Sequence, residues 1–294
     1  DEALKVMPVL FDNAGYNVTV CDPPFAGYNY VPDLSIYDDY PDINAYIARG
    51  YFWNAEKESV SDRNFRNFFC YSIMKIAPLA LQNHFYNLGM YNECVDNGGV
   101  NAAITEAKGQ FRTGLMIAEG IDEELMWDYS TLTHLDEMTN VVDDDSNNFL
   151  MMDNELTHRA VYFQEPEYEA AYYINNEEYE AAHSDRYTYS GITLEMTTDV
   201  HYAEYQSNMA AILKIGAWLD YLREEGVFDN TRIIIVADHG RPVQQNEIYQ
   251  IGDGDDPYLD IENYYPMLLV KDFNAKGFTV NEEFMTNADT PTIA

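Results

Sequence analysis

Arg232-Ile233-Ile234-Ile235-Val236-Ala237 is a nearly unbroken apolar run rich in β-branched residues, and few folds accept such a run. Branching at Cβ favours the extended backbone, and a strand with no polar alternation has to be covered on both faces, which predicts a central parallel strand. Just before it, Tyr202 to Glu225 places Met209, Ile212, Leu213, Gly216, Leu219 and Leu222 at helical spacing, with Gly226 where a left-handed residue ends a helix. A long amphipathic helix feeding a buried strand is half of an α/β unit, so a layered α/β domain is expected.

The chain opens in the same way. Ala3, Val6, Met7, Leu10 and Phe11 sit at helical spacing, Gly15 follows as a cap, Tyr16 to Cys21 reads as a strand, and Asp22-Pro23-Pro24 stops it. Asn148 to Met152 reads as a buried strand running out into Asp153-Asn154-Glu155-Leu156-Thr157-His158, and Met267 to Val270 as a last strand. In Asn287-Ala288-Asp289-Thr290-Pro291-Thr292, a capping residue and a proline announce a new helix. Between these elements, Asn29 to Tyr46 is dominated by Tyr, Asp and Pro and predicts a surface excursion. Asp62 to Asn92 predicts helical pieces broken at Pro78, with Phe65, Phe68, Phe69, Ile73 and Ile76 packing an insertion against the sheet. No repeat or Gly/Ser linker divides the chain, so residues 1–294 read as a single domain.

With 51 acidic and 16 basic side chains the formal net charge is −35, which repels nucleic acid and opposes docking on an anionic membrane. Asp143 to Asp145 reads as a solvated loop, with cation binding as the other reading. The 25 tyrosines read as core and insertion packing, against a carbohydrate or headgroup surface. Cys21, Cys70 and Cys94 fit neither a disulfide framework nor a zinc ribbon. No window approaches the roughly 18 apolar residues of a membrane span, and Asp1-Glu2-Ala3-Leu4 lacks an initiating Met and a signal pattern, so the chain is expected to be soluble and to begin mid-protein.

Functional groups of open parallel sheets collect at the carboxyl ends of strands, where Asp238-His239 and Thr157-His158 both fall. At a strand-to-loop corner a carboxylate and the next imidazole can reach one cation, and Gly240 permits the sharp turn. Mn²⁺, Mg²⁺ or Zn²⁺ accepts such mixed oxygen and nitrogen ligation and stabilises charge on a transferred phosphoryl or sulfuryl oxygen. Asp238 and His239 are therefore candidate metal ligands, with a hydrogen-bonded structural pair as the other reading. Arg241 is either a guanidinium for an anionic substrate or an ordinary salt bridge, and His201 is either a supporting group behind the site or a solvated or locally hydrogen-bonded residue. His84, His134 and His183 lack partners at ligand spacing and receive no role.

Asp229-Asn230-Thr231-Arg232-Ile233-Ile234-Ile235-Val236-Ala237-Asp238-His239-Gly240, preceded by Leu219-Asp220-Tyr221-Leu222, resembles the late metal motif of sulfatases and lipoteichoic acid synthases of the alkaline phosphatase superfamily. The openings Ala3 to Phe11 and Gly15 to Pro24, and Asp289-Thr290-Pro291-Thr292, are similar to membrane-anchored proteins of that group, while Asn92 to Asn148 matches only loosely. The resemblance implies a three-layer alkaline-phosphatase-like α/β core with a largely parallel central sheet and helical and loop insertions. It implies one divalent metal, Mn²⁺ first, on Asp238 and His239, and His158 at the substrate phosphate or leaving group.

It also implies a Thr, Ser or formylglycine nucleophile and an early acidic ligand upstream of residue 1, a missing C-terminal end, and hence an inactive fragment. The parent would be anchored by membrane helices outside this chain, act at the extracytoplasmic face, and transfer or hydrolyse phosphoglycerol, phosphoethanolamine or sulfate esters on an anionic lipid headgroup or polymer. The alternative is a catalytically degenerate domain kept as a binding or structural module. Cys21-Asp22-Pro23-Pro24-Phe25 looks like the maturation motif of sulfatases but has Phe25 where that motif has Arg, so Cys21 reads as a small buried hydrophobe.

Overall fold

The computed structural model describes residues 2–25, 32–53, 68–69, 71–86, 117–119, 123–171, 173–252 and 259–294. It is mixed α/β, built on a parallel sheet of three strands: β1 (Asn17–Cys21) lies between β2 (Ile43–Tyr46) and β4 (Asn148–Met152). β1 pairs in parallel with both neighbours, Val18 opposite Ile43 on one side and opposite Phe149 on the other. Alternation then puts Val18, Val20, Phe149 and Met151 on one face. Val9 and Phe11 of helix α1 (Val6–Asn13) pack on that face, with the Phe11 ring stacked on Phe149 at 4.0 Å.

The opening helix ends as its sequence predicts. Gly15 takes φ +85°, its N–H reaches the Asp12 carbonyl, the Tyr16 N–H reaches the Phe11 carbonyl, and the Phe11 and Tyr16 rings meet at 5.0 Å. This is the two-bond left-handed cap with its hydrophobic contact.

The largest cluster lies beyond the other face. It joins Leu125, Tyr129 and Leu132 of a helix at Glu123–Thr133 to Leu156, Phe163, Tyr168 and the Ala210-Ala211 stretch of the long helix Asp199–Glu224, with Met152 at its margin. Buried Tyr37, Tyr129, Tyr162, Tyr168, Tyr187 and Tyr202 show tyrosine serving as core. Thr198 caps the long helix, its side chain accepting the His201 N–H at 3.2 Å. Gly226 at φ +77° closes it, with Gly226 and Val227 donating to Arg223 and Leu222 carbonyls.

Four sequence expectations are corrected. The Ile-rich run forms β8 (Ile233–Val236), but it pairs antiparallel with β11 (Leu268–Lys271) in a separate two-stranded sheet, Ile233 buried and Val236 41% exposed. Its apolar character reports partial burial and says nothing of strand direction. Among the described residues β4 pairs only with β1, and Leu150 is 57% exposed, so it is an edge strand rather than a buried one. The stretch Asn29 to Tyr46 contributes β2 and the buried side chains Tyr37 and Ile43, while residues 26–31 lie outside the described residues. In the insertion, a helix does restart after Pro78, at Leu79–Tyr86, but Phe68, Phe69, Ile76 and Leu79 are exposed rather than packed on the sheet. Phe65, Cys70, Cys94 and about half of the loosely matched segment lie outside the described residues.

Candidate functional site

The site grows from the carboxyl end of β8. The Ala237 N–H still bonds to the Met267 carbonyl, and beyond it Asp238 leaves the ladder, its own carbonyl held by the Asn287 side-chain amide at 2.6 Å. The helical turn starting at Asn287–Asp289, expected from sequence, thereby pins the Asp-His corner.

One oxygen of Asp238, Oδ1, accepts the His239 N–H at 2.8 Å, and His239 Nδ1 contacts the Gly240 carbonyl at 2.6 Å. A carbonyl can only accept, so Nδ1 carries the hydrogen, and in the neutral ring Nε2 presents its lone pair. Nε2 lies 3.5 Å from Asp238 Oδ2, and the two side chains are 57% and 87% exposed. Two ligands each about 2.1 Å from a tetrahedral ion stand about 3.4 Å apart, so this donor pair fits two positions of one small divalent ion. Among the described residues no group of three or more His, Cys, Asp or Glu side chains is arranged to hold a metal ion.

Gly240 serves the corner differently from the turn expected of it. A Cβ there would stand 1.9 Å from the Glu262 carbonyl oxygen, and the Gly240 N–H bonds to the Asn263 carbonyl at 3.1 Å. Glycine is required for close backbone approach.

His158 ends a short 3₁₀ turn, Leu156–His158, that follows β4. Its imidazole is exposed, while its carbonyl accepts Arg241 Nη1 at 2.5 Å. The same Nη1 lies 2.8 Å from Oε1 of Glu204, a side chain only 6% exposed. Of the two readings of Arg241, the observed arrangement is thus an ion pair, with a backbone bond added. His201 is 5% exposed: its Nδ1 accepts the Thr197 N–H at 3.2 Å and its Nε2–H donates to the Val243 carbonyl at 2.7 Å. It is buried and hydrogen-bonded to backbone, one of these bonds reaching the loop that follows the Asp-His pair.

Further carboxylates stand beside this site. β1, β4 and β8 are followed, at once or after one residue, by Asp22, Asp153 and Asp238. Asp22, at φ +47°, receives the Ala48 N–H at 2.8 Å and the Arg49 N–H at 3.1 Å, tying the end of β1 to the segment after β2. Arg49 pairs with Asp128 at 3.1 Å and approaches Glu155 at 3.8 Å, and a small cleft is lined by Asp22, Phe25, Arg49, Asp128, Asp153 and Glu155.

Burial pushes the Asp128 carboxyl up to about 6 against the pull of Arg49. Burial, then the Glu155 charge, pushes Asp153 up to about 6, with the charges of Asp238 and Asp22 adding to it. The rule of strand carboxyl ends that selected His158 and Asp238 would have found Asp22 and Asp153 too. Cys21 is buried, its thiol pushed up to about 12 by burial, as suits a structural residue.

No protein family, curated protein or solved structure matches the chain.

Proposed function

We propose that this chain is part of a metal-dependent phosphoryl- or sulfuryl-ester transferase or hydrolase of the alkaline phosphatase superfamily, with Asp238 and His239 as two of its metal ligands. The observation that carries the reading is the pair itself: a carboxylate oxygen and an imidazole nitrogen 3.5 Å apart at the end of a strand. A divalent ion held there supplies Lewis-acid stabilisation of a developing oxyanion. The chain's own groups hold and orient. Asn287 fixes the Asp238 backbone, the Gly240 carbonyl sets the His239 tautomer, and Arg241 holds the His158 turn beside the same loop.

The rest of the reading follows the resemblance. The substrate is an anionic ester such as a phosphoglycerol, phosphoethanolamine or sulfate group on a lipid headgroup or polymer, the nucleophile lies upstream of residue 1, and the full-length protein works at the extracytoplasmic face of a membrane. No helix among the described residues is long and apolar enough to cross a membrane.

Cleavage of a phosphodiester reporter by the full-length protein, with Mn²⁺, Mg²⁺ or Zn²⁺ added, tests the proposal. Metal-dependent turnover that falls at least about 100-fold in Asp238→Ala supports it. A wild-type protein inactive with every metal and ester tried would replace it by the binding-module reading.

A further inference from the structure

Three buried polar residues stand three positions apart on the long helix: His201, Glu204 and Ser207. This spacing keeps them along one side of the helix. Burying polar groups is costly unless they are paired, so what they bind is informative. His201 Nε2 donates to the Val243 carbonyl, in the loop after the Asp-His pair. Ser207 Oγ accepts the Val161 N–H and lies 3.0 Å from the Arg159 and Val161 carbonyls, in the segment after His158. Glu204, between them, faces Arg241, whose Nη1 also reaches the His158 carbonyl. One end of the row thus holds one site segment, the other end holds the other, and the middle residue couples the two.

We propose that Glu204 is a positioning residue: through Arg241 it locks the His158 turn and the Asp238-His239 corner into one fixed relation. The inference rests on the functional reading above only for its catalytic consequence. Its structural content stands on the described contacts. A bare Arg241 would have one flexible guanidinium to share between solvent and a carbonyl. Glu204 is buried while the Arg241 side chain stays 46% exposed, and Glu204 Oε1 makes no hydrogen bond, so the guanidinium is held by its charge: a carboxylate buried without a cation beside it is disfavoured.

Hydrogen–deuterium exchange over 156–161 and 238–244 tests the clamp, with the segment 6–21 of α1 and β1 as an internal control of folding. Glu204→Gln and Arg241→Gln are each expected to speed exchange about 10-fold in both test segments while 6–21 stays protected. Glu204→Asp, which keeps the charge, is expected to restore most of the protection. Faster exchange in only one segment, or in neither, overturns the proposal. If Glu204→Gln loses protection everywhere, Glu204→Asp and Arg241→Gln decide by the same criterion.

In the full-length protein, Glu204→Gln is expected to lower kcat about 10-fold with KM within about twofold, as loss of a group that orients the site does. A rise in KM with kcat unchanged instead overturns the positioning role. Absence of any turnover in wild type removes the catalytic reading and leaves the exchange result to decide the clamp.

Discussion

Asp128 and Asp153 set the local response to pH. Both carboxyls stand near 6, first because burial disfavours their charge, and in each the Glu155 charge adds to the rise. In the unfolded chain they return to about 3.9. A folded-state value above the unfolded one means that their contribution to stability is full below about pH 4 and is lost as pH climbs through about 6. The urea midpoint is therefore expected to fall between pH 4.5 and 7.5. General repulsion among carboxylates gives the same sign, so the diagnostic is Asp128→Asn, which should flatten that slope by an amount of order 2–3 kcal/mol. An unchanged slope would mean that Asp128 is not desolvated. Gly240→Ala has a different mechanism: its Cβ meets the Glu262 carbonyl oxygen at 1.9 Å, and the forced backbone shift should cost about 1–3 kcal/mol in urea denaturation. At this scale the sequence was legible where a motif fixed the local geometry, as in the Asp238-His239 corner. Glu204 was not legible, because a Glu on a helix is ordinarily solvated and only the fold shows that Arg241 arrives opposite it.

Elements were legible when their signals were local. Both glycine caps fall where predicted, because a left-handed residue after an apolar helical run is decided within a few residues. β2 was hidden, since Ile43-Asn44-Ala45-Tyr46 is short and its stabilising partner lies two dozen residues away with no tight turn to announce it. The direction of β8 was misjudged for the same reason: hydrophobicity records how much of a strand is covered, while its partner is chosen by distant sequence. The observed burial makes a graded prediction. Ile233→Ala should cost about 2–3 kcal/mol and Val236→Ala under about 1, measured by chemical denaturation. Equal losses would indicate a strand covered on both faces after all. Thr198→Ala removes the cap of the long helix and should cost about 1 kcal/mol.

For the whole molecule, a net charge of −35 opposes compaction, and salt screens it over about 10 Å at 0.1 M. Raising sodium chloride from 20 to 200 mM is expected to add about 1 kcal/mol, a Tm rise of about 2–4 °C. A fall in Tm would show that the ion pairs of Arg49, Arg186 and Arg241 outweigh the repulsion. The sheet carries a consequence of another kind. β1 is its middle strand, yet the partner on one side, β4, arrives 131 residues later, as the Asn17–Asn148 contact shows. At a synthesis rate of roughly 5–20 residues per second, a nascent chain waits about 7–26 s between making β1 and making β4. During that interval β2 can pair, but the other edge of β1, with Val18 and Val20 still uncovered by Phe149 and Met151, is open to any strand that meets it. The chain's hazard is thus a matter of timing on the ribosome, and an acidic surface that keeps neighbouring nascent chains apart is a protection suited to it.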